Sequence, residues 1–490
     1  MNDTAGEPRK RVAIAGASGF VGRALRRSLS GDYELIALTR SLSGAGDQKE
    51  SSGVTWRQCD LFDVEAIKDA LVGVDVVIYL VHSMSPQSRL TQARFEDLDL
   101  LLADNMRIAC DAAGVQHVLY LGGLTSGMEE KTLSRHLESR HEVGLVLGNG
   151  KARMTQLGAG VVIGRGGSSL RMLTRLIRRL PMMVLPRWTA NPTQPVSIKD
   201  VVRAFEMALR DPETWTGSFD LGINERMTYG DMIMRTAGHL ERNPLAFHVP
   251  ISSPKVSTLW IMLFSGEPRS LVFPLVSSLS SPTVARDNPM LQKLKPDLQG
   301  FDEALDEAIS VGARDEDPRR VMLQKDRLII NRRSLVRSIQ RMKAPEDWTI
   351  ERVCQDYWRW LGSLAGPVLK VDMELDGGGS IEEVRVRLLG RLDLIVMRRD
   401  QARCDERSEV LSIEGGLLVR GGTSNKGRVE FRRIKARSEA VVTVLNDFAP
   451  SLPWYLYEFS QAIAHLVIMG AFRRWLAAKI RAAAKADAGA

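Results

Sequence analysis

The stretch that decides the fold lies close to the N-terminus and reads Val12-Ala13-Ile14-Ala15-Gly16-Ala17-Ser18-Gly19-Phe20-Val21-Gly22. An apolar run typical of a buried strand leads into a glycine-rich turn and then into a helical segment. The first glycine permits the tight turn, the second lets the backbone approach a pyrophosphate, and the third lets the helix pack closely on the sheet. The helix N-terminus adds unsatisfied N–H groups and a partial positive charge. We therefore predict a dinucleotide-binding turn with contacts from Gly16, Ser18, Gly19, Phe20, Val21 and Gly22.

Length and composition indicate a globular protein of more than one domain. The 490 residues exceed what one hydrophobic core normally supports, so two or three domains are expected. The formal charge of +8 comes mostly from arginines interspersed with aspartate and glutamate, which favours a mixed-charge surface over a nucleic-acid site. The sequence has no zinc-finger spacing and no basic motif interleaved with aromatic residues, so no nucleic-acid partner is expected.

The cysteines and the apolar stretches indicate the compartment. The four cysteines form no CxxC pair, which argues against a metal site or a disulfide framework and favours a reducing cytoplasm: Cys59, Cys110, Cys354 and Cys404. Residues 1–11 lack the apolar core of a secretory signal. The most apolar stretches, 259–276 and 462–472, are interrupted or too short to cross a bilayer. We expect a soluble, cytoplasmic protein with at most peripheral membrane contact.

From about residue 11 to residue 163, short apolar runs alternate with helical segments, which is typical of βαβ units. We predict strands at 11–15, 33–39, 55–58, 74–80, 117–121 and 153–162, and helices at 65–71, 95–113 and 139–147. This pattern predicts an α/β fold with a doubly wound parallel sheet of the Rossmann type. Ligands of such sheets bind beyond the carboxyl ends of the strands, so the cofactor should face those ends.

The ends of the second and third strands bear on the choice of cofactor. The second ends in Leu38-Thr39-Arg40, where Arg40 suits a 2′-phosphate, so NADP(H) is favoured over NAD(H). Alternatively, Arg40 is simply an exposed side chain at a strand end. The third is followed by Cys59-Asp60-Leu61, where Asp60 is expected either to reach the adenine or to cap the helix that begins near Val64.

These features extend to a family resemblance over about residues 10–310. The glycine-rich turn, Arg40 and Asp60-Leu61 are part of this resemblance. Five further stretches carry it: Tyr79-Leu80-Val81-His82-Ser83-Met84, Tyr120-Leu121-Gly122-Gly123-Leu124, Ser139-Arg140-His141-Glu142-Val143-Gly144, Pro186-Arg187-Trp188 and Gln194-Pro195-Val196-Ser197-Ile198-Lys199-Asp200-Val201. They resemble the atypical, extended short-chain dehydrogenase/reductases of the NmrA-like, NAD(P)H-binding branch that is often labelled as epimerases. The resemblance implies further cofactor contacts from Thr39, Leu61, Leu80, Val81, His82, Gly122 and Gly123.

The sequence departs from that family at the expected catalytic residues. The positions of the family's Ser, Tyr and Lys fall at Gly123, His136 and Arg140. His136 could act as a general acid or base near neutral pH, with Arg140 stabilising an oxyanion or phosphate, or it could be a polar residue at a helix start. His82 could polarise a carbonyl, or it could hold its loop by hydrogen bonds to the backbone; Ser83 is a second polar candidate there.

A small substrate lobe is expected at about residues 220–310, where Tyr229-Gly230-Asp231-Met232 opens a helix and Val249-Pro250-Ile251 forms a short strand. Apolar residues of this lobe line a pocket or form core: Trp260, Met262, Leu263 and Phe264. Before the lobe, the turn at residues 164–169 precedes a basic helix at 170–180, which offers an anion site or a solvated arginine face. A charged break at residues 312–320 marks the expected domain boundary, so the first domain covers 1–315.

Beyond the break, the pattern changes to consecutive strands and a long helix. Residues alternate as in an antiparallel sheet at Val384, Val386, Leu388, Leu392, Leu394, Val396, Val429, Phe431, Val441 and Leu445. Hairpin turns are expected at 377–379 and 421–422 and an amphipathic helix from Trp454 to about Lys479. This order resembles the START-like helix-grip fold, an α+β architecture, at residues 325–484, with 485–490 as a tail. The resemblance implies a cavity for a lipid or quinone; alternatively, the domain only steadies the first.

Three functions follow. The first is an NADPH-dependent oxidoreductase acting on a hydrophobic small molecule, with His136 or water as the proton donor. The second is a non-catalytic NADP(H)-binding sensor or a biosynthesis or assembly factor, related for example to quinones, which the missing Ser, Tyr and Lys favour. The third, sugar-nucleotide epimerisation, leaves the apolar C-terminal domain without a role. The basic segment 473–481 is also compatible with weak attachment to an anionic membrane surface, and its alanine-rich end with a frayed helix.

Overall fold

The computed structural model describes residues 9–40, 53–82, 91–125, 133–250, 253–267, 269–309, 335–364, 366, 368–420, 427–435 and 439–488. The chain divides into two compact units. The first comprises residues 1–85 and 102–318, and the second comprises residues 86–101 and 319–490. The borders predicted from sequence, 315 and 325, lie between residues 310 and 334, outside the described residues.

The strands, in chain order, are β1 Arg11–Ala15, β2 Glu34–Thr39, β3 Val54–Gln58, β4 Val76–Tyr79, β5 Thr91–Gln92, β6 His117–Gly123, β7 Arg153–Ala159, β8 Val162–Ile163, β9 Met182–Pro186, β10 Pro192–Thr193, β11 Val196–Ser197, β12 Gly217–Leu221, β13 Met227–Thr228, β14 Leu245–Val249, β15 Val336–Met342, β16 Leu369–Leu375, β17 Ile381–Leu388, β18 Leu392–Arg399, β19 Ser408–Gly415, β20 Arg428–Lys435 and β21 Glu439–Phe448.

The α-helices, in chain order, are α1 Phe20–Leu29, α2 Val64–Ala70, α3 Phe95–Ala113, α4 Arg135–Gly148, α5 Ser168–Arg179, α6 Ile198–Arg210, α7 Tyr229–His239, α8 Pro254–Ser265, α9 Arg269–Ser278, α10 Pro289–Leu294, α11 Phe301–Ile309, α12 Ile350–Leu364, α13 Trp454–Phe459 and α14 Gln461–Ala488.

The first unit is built on a seven-stranded sheet in the order β12-β7-β6-β4-β1-β2-β3. Every neighbouring pair is parallel, so the predicted Rossmann-type α/β sheet is confirmed. Its central strands are fully buried, as expected for a parallel sheet covered on both faces. The strand predicted to run from 153 to 162 is in fact two strands, because β7 ends at Ala159 and β8 pairs separately with β11.

Local capping sets where several helices begin. The side chain of Ser134 accepts the N–H of Leu137, so α4 begins at Arg135, four residues before the predicted start. In α7, the side chains of Thr228 and Asp231 form a capping box, and the helix opens at Tyr229 as predicted. The cap of α2 is Asp63, whose side chain accepts the N–H of Glu65. The predicted cap Asp60 is therefore wrong.

Beside the large sheet, the first unit carries an apolar lobe. It contains α5, α7, α8, α9 and α11, packed around buried residues such as Leu176, Trp188, Ile261 and Val276. A two-stranded parallel sheet of β9 and β14 belongs to this lobe. The short strand predicted at 249–251 is instead β14, which ends at Val249; Ile251 lies outside the described residues.

The second unit has an eight-stranded sheet in the order β16-β17-β18-β19-β20-β21-β15-β5. Its neighbours are antiparallel except for the edge pair of β15 and β5, so the predicted antiparallel sheet is confirmed. The predicted turn at 377–379 joins β16 to β17, whereas 421–422 lie outside the described residues. The C-terminal helix is interrupted at Ser460, and its second part extends to Ala488, into the predicted tail.

Aromatic side chains fill the core of the second unit. The ring centroid of Tyr357 in α12 lies 5.0 Å from that of Phe472 in α14 and 5.4 Å from that of Phe431 in β20. Phe472 also stacks on Trp475 at 5.6 Å. The two helices and the sheet therefore meet through interlocked rings, which exclude water from this core.

Candidate functional site

The turn at residues 16–22, called the glycine turn below, has a geometry that requires glycine. Gly16 has a φ of +91°, which is strained for any residue with a Cβ. A Cβ on Gly22 would lie 2.7 Å from the Cα of Ala17 and closer still to the carbonyl oxygen of Gly16. The turn is closed by a hydrogen bond of 2.9 Å from the N–H of Gly19 to the oxygen of Gly16. Strand, turn and helix are thus in contact with no room for side chains.

Two arginines of α1 bind backbone oxygens of this turn. Nη1 of Arg23 donates to the oxygen of Ser18 at 2.7 Å, and Nε of Arg26 donates to the oxygen of Ala17 at 3.1 Å. Since the N–H of a trans peptide points away from its C=O, the second bond directs the N–H of Ser18 away from the helix. The first turn of α1 contains no acidic residue, so its electrostatics suit an anion. The sequence interpretation missed both arginines, although their spacing from the glycines was visible.

Arg40 and Asp60 lie beyond the carboxyl ends of β2 and β3. The oxygen of Arg40 accepts a hydrogen bond from Gln58, and the oxygen of Thr39 accepts one from Cys59. Oδ1 of Asp60 accepts the N–H of Phe62 at 3.2 Å, which stabilises the local turn. These bonds bring the ends of the two strands together.

Asn105 of α3 fixes the same edge of the sheet. This side chain is buried, and its Nδ2 donates to the oxygen of Leu61 at 2.9 Å. Nothing in the sequence pattern singled it out, because a lone asparagine in a long helix carries no motif.

Arg140 joins the ends of β4 and β6. Its guanidinium donates to the backbone oxygens of Val81 and Leu121 and lies over the ring of Tyr120, 4.8 Å from the ring centroid. The hydroxyl of Tyr120 donates in turn to the oxygen of Arg140 at 2.9 Å. The side chain is buried, and these contacts position the loops that follow both strands.

His82 and His136 form a hydrogen-bonded pair, called the histidine pair below. Nε2 of His82 lies 3.2 Å from Nδ1 of His136, and the ring centroids are 4.8 Å apart. Burial, followed by the charges of His82 and Arg140, holds the pKa of His136 well below its usual value. The lowered pKa favours the neutral imidazole near neutral pH, and a role of His136 as a general acid or base stays a prediction. Ser83 lies outside the described residues.

At Gly122 and Gly123 the sheet edge has little room for side chains. A Cβ on Gly123 would lie 2.8 Å from Cδ2 of Leu137, so a serine at this position would require Leu137 to move. A Cβ on Gly122 would lie 3.1 Å from both Gln156 and Tyr120. At position 123, where the sequence comparison expected a serine, the glycine packs closely against Leu137.

A cavity of about 300 Å³ opens at this edge of the sheet. One end is lined by the histidine pair, Arg140, Gly122 and Gly123. The rest is apolar, with contributions from Leu173, Leu176, Trp188, Met232, Trp260 and Leu275. Polar groups within the apolar part bond to one another: the hydroxyl of Tyr229 lies 2.6 Å from Oγ1 of Thr283, and the indole of Trp188 donates to Ser257. Such a cavity suits a small apolar ligand with a polar group at one end.

The lobe differs from the sequence expectations in two respects. In α5, Arg171 and Arg175 bind Glu267 and are not part of a solvated face. Arg178 and Arg179 are exposed, and Arg179 donates to the oxygen of Phe264, so the expected solvated arginine face is present only in part. Of the four apolar residues considered there, Trp260 lines the cavity, whereas Leu263 is 75% exposed.

Within the described part of the chain, no group of three or more histidine, cysteine or acidic side chains is arranged to hold a metal ion. In the same part, none of the helices combines the length and the apolar character needed to cross a membrane.

Comparison with known proteins places the glycine turn in a matched region. Residues 16–154 match the model of the NAD(P)H-binding family. The auxiliary protein GraX of Staphylococcus aureus (strain NCTC 8325 / PS 47) is 30% identical over 127 residues, which are 26% of this chain and 39% of GraX. The chain therefore spans well under half of that relative's length.

Solved structures similar to this chain include an NADPH-dependent quinone oxidoreductase from Escherichia coli, with 18% identity and a TM-score of 0.48 over 60% of this chain and 98% of that one. A Citrobacter triphenylmethane reductase complexed with NADP(H) has 18% identity and a TM-score of 0.45 over 61% and 100%. A nucleoside-diphosphate-sugar epimerase from Staphylococcus aureus has 14% identity and a TM-score of 0.47 over 60% and 99%.

Proposed function

We propose that the first unit binds NADPH along the carboxyl edge of its sheet and reduces an apolar carbonyl compound, such as a quinone or an aldehyde. The observation that carries the proposal is the cavity of about 300 Å³ that joins Gly122 and Gly123 to the apolar lobe, with the histidine pair at one end. Cofactor and substrate would then meet where Gly122 and Gly123 border the cavity.

The residues present fit a dinucleotide. Gly22 leaves no space for a Cβ, and the start of α1 offers N–H groups without an acidic side chain. Arg40 would bind the 2′-phosphate and Asp60 would lie near the adenosine half. Bound NADPH supplies the hydride, and everything else in the reaction falls to the side chains of the cavity.

The histidine pair would act on the substrate oxygen. Nε2 of His82 and Nδ1 of His136 share one proton, because in a hydrogen bond between them one nitrogen donates and the other accepts. With His82 as the donor, the proton of neutral His136 lies on its Nε2, from which it donates to the oxygen as negative charge develops. The proton that completes the alcohol comes from water, so that His136 stays neutral throughout.

The test is NADPH oxidation by the wild type and by His136→Ala with panels of quinones and aldehydes, from about pH 5 to about pH 9. The expected loss on substitution is about 100-fold at neutral pH, with a rate that is flat above neutrality and falls in acid as the imidazole becomes charged. His141→Ala, in the same helix but outside the cavity lining, is the matched control. An unchanged pH profile in His136→Ala would remove the histidine from the mechanism.

A second candidate is a non-catalytic NADP(H)-binding sensor or an assembly factor. The observation that favours it is the use of Arg140, at the position of the family's lysine, to bind the oxygens of Val81 and Leu121. The relative GraX is named an auxiliary protein. Tight NADPH binding with no turnover of any substrate in the panels would select this candidate.

For the second unit we propose a helix-grip fold that serves as a packed scaffold. The long helix α14 against an antiparallel sheet supports the first part of this proposal. The interlocked rings of Tyr357, Phe431 and Phe472 support the second, because a lipid or quinone there would have to displace them. Titration of the full chain with a fluorescent fatty acid tests it; saturable binding that Phe472→Ala alters would instead assign a ligand site.

A further inference from the structure

The small sheet of β9 and β14, called the lobe sheet below, presents an apolar face to solvent. Met182 is paired with Leu245 and Val184 with Phe247, and these four side chains are 53%, 64%, 40% and 51% exposed. Met183, which points to the opposite side in β9, is buried in the lobe. The inward side chains of β9 therefore support the fold, whereas the large apolar side chains of the other face lie in water without structural benefit.

Positive charge predominates in the sequence next to the two strands. Among the described residues within four positions of the ends of β9 and β14, the charged side chains are all exposed: Arg178, Arg179, Arg187, Glu241 and Arg242. Four positive charges and one negative charge give a local excess of three positive charges. An apolar face with a basic rim is the pattern that binds an anionic lipid surface, because acyl chains accept the apolar groups and headgroups attract the arginines.

The lobe sheet is continuous with the cavity. Met183 and Val184 of β9 both line the cavity, and Val184 is 40% exposed. A molecule dissolved in a bilayer would thus meet apolar side chains from the membrane surface to the interior of the lobe.

We propose that the exposed face of the lobe sheet docks on the surface of an anionic phospholipid membrane, from which an apolar substrate enters the cavity. The entry of substrate rests on the proposed reductase function, whereas the docking does not. A second copy of the chain is the competing occupant of this face. Pairing two such faces would bring two sets of four arginines together, and that repulsion disfavours self-association.

The test is co-sedimentation of the full chain with vesicles of phosphatidylcholine, with and without phosphatidylglycerol. The wild type should bind the anionic vesicles and lose binding at high salt. The double variant Leu245→Ser/Phe247→Ser should lower the partition coefficient at least about tenfold, because two exposed apolar side chains no longer enter the acyl region. Both positions are at least half exposed, so folding should be retained, which circular dichroism checks.

Two control variants locate the contact. Leu392→Ser removes an apolar side chain of similar exposure, 55%, in the second unit and should bind vesicles like the wild type. Ile463→Ser/Val467→Ser alters exposed residues of α14, where the sequence suggested attachment through the basic C-terminal segment. The charge-reversal pair Arg178→Glu/Arg187→Glu should abolish the preference for anionic vesicles.

The docking proposal is overturned if the wild type binds neither vesicle type, or if the lobe-sheet double variant binds like the wild type. It is also overturned if only the α14 variant loses binding, or if the lobe sheet proves to mediate a dimer that the double variant dissolves. Vesicle binding without NADPH turnover would leave the docking standing and refute the reductase function alone.

Discussion

The two units cover their sheets in different ways: an apolar cavity lies at the edge of the large sheet of the first unit, whereas aromatic rings fill the space between sheet and helices in the second. In the first unit the seven strands of the large sheet are all parallel, so the carboxyl ends of β1, β4 and β6 lie at one edge, next to the glycine turn and Gly123. In the second unit the strands of an antiparallel sheet meet two helices through stacked rings. At the carboxyl edge of a parallel sheet, the loops and helix N-termini that follow the strands surround a cavity, whereas interlocking aromatic residues produce a dense core.

The largest effect is expected at the glycine turn. A Cβ at position 22 would overlap backbone atoms of Gly16 and Ala17, which cannot rotate away as a side chain does. Gly22→Val should therefore weaken NADPH binding more than about 100-fold, and Gly19→Val should act in the same way by blocking the pyrophosphate. Nicotinamide fluorescence titration measures the loss.

Gly31→Val is the matched control, because a Cβ there has no heavy atom within 4 Å. It should bind NADPH as the wild type does. Hydrogen exchange in peptides of the second unit should be the same in Gly22→Val, Gly19→Val and Gly31→Val, because the glycine turn belongs to the first unit. Retained binding in Gly22→Val would show that the cofactor does not use this turn.

The next largest effect is expected in the aromatic core. Phe472 is fully buried and contacts Tyr357, Trp360 and Trp475, so Phe472→Ala should cost the second unit about 3–5 kcal/mol in free energy of unfolding. NADPH affinity should not change. Phe459→Ala, at a side chain that is 78% exposed, should stay within about 0.5 kcal/mol of the wild type. Peptide-resolved hydrogen exchange in denaturant measures the free energy of unfolding of each unit separately. Equal losses of stability in Phe472→Ala and Phe459→Ala would contradict a filled core.

The same contrast decides how much the sequence could predict. The glycine turn and the strands of the parallel sheet follow from local rules, because turn, close approach and helix packing each need a glycine at a fixed spacing. The alternation in the second unit likewise predicts an antiparallel sheet. The histidine pair follows from no local rule, since His82 and His136 are 54 residues apart and meet only through the fold.

The lowered pKa of His136 could not be predicted from the sequence either. An isolated histidine titrates near neutrality, and only its burial and the nearby His82 and Arg140 make the charged form unfavourable. The pairing of Glu267 with arginines of α5 depends in the same way on a contact across 96 positions. Long-range contacts of polar side chains leave no periodic signal in a sequence.

Acid should destabilise both units, with a smaller effect in the second. Burial lowers the pKa of His117 and of His465 to about 4, and each ring bonds to a hydroxyl, Thr155 and Ser338 respectively. The unfolded chain binds these protons near pH 6.5, so stability falls as the pH falls from there towards 4, by up to about 1.4 kcal/mol per pH unit for each group. His136 adds to this dependence in the first unit, and His465 is partly exposed, which reduces its share.

Denaturation of the full chain at pH 7.5 and at pH 5, followed by hydrogen exchange resolved by peptide, measures the two slopes. His117→Gln should flatten the pH dependence of the first unit only, by about 2 kcal/mol at pH 5, and His465→Gln that of the second only. A pH dependence that neither substitution changes would mean that these rings are not the neutral, buried groups of the folded state.

The smallest effect is expected at the second strand end, where a single side chain is proposed to select the cofactor. Arg40 follows β2 at the carboxyl edge, and a guanidinium there would pair with the 2′-phosphate that distinguishes NADPH from NADH. Arg40→Asp should weaken NADPH about tenfold, or about 1.4 kcal/mol, and leave NADH nearly unchanged, because only the phosphate is repelled. Arg226→Asp, at an exposed arginine of the first unit, controls for net charge. Titration of the wild type with both cofactors tests this prediction. Equal affinities for NADPH and NADH would show that Arg40 does not select the cofactor and that the edge of the sheet binds the dinucleotide through its backbone alone.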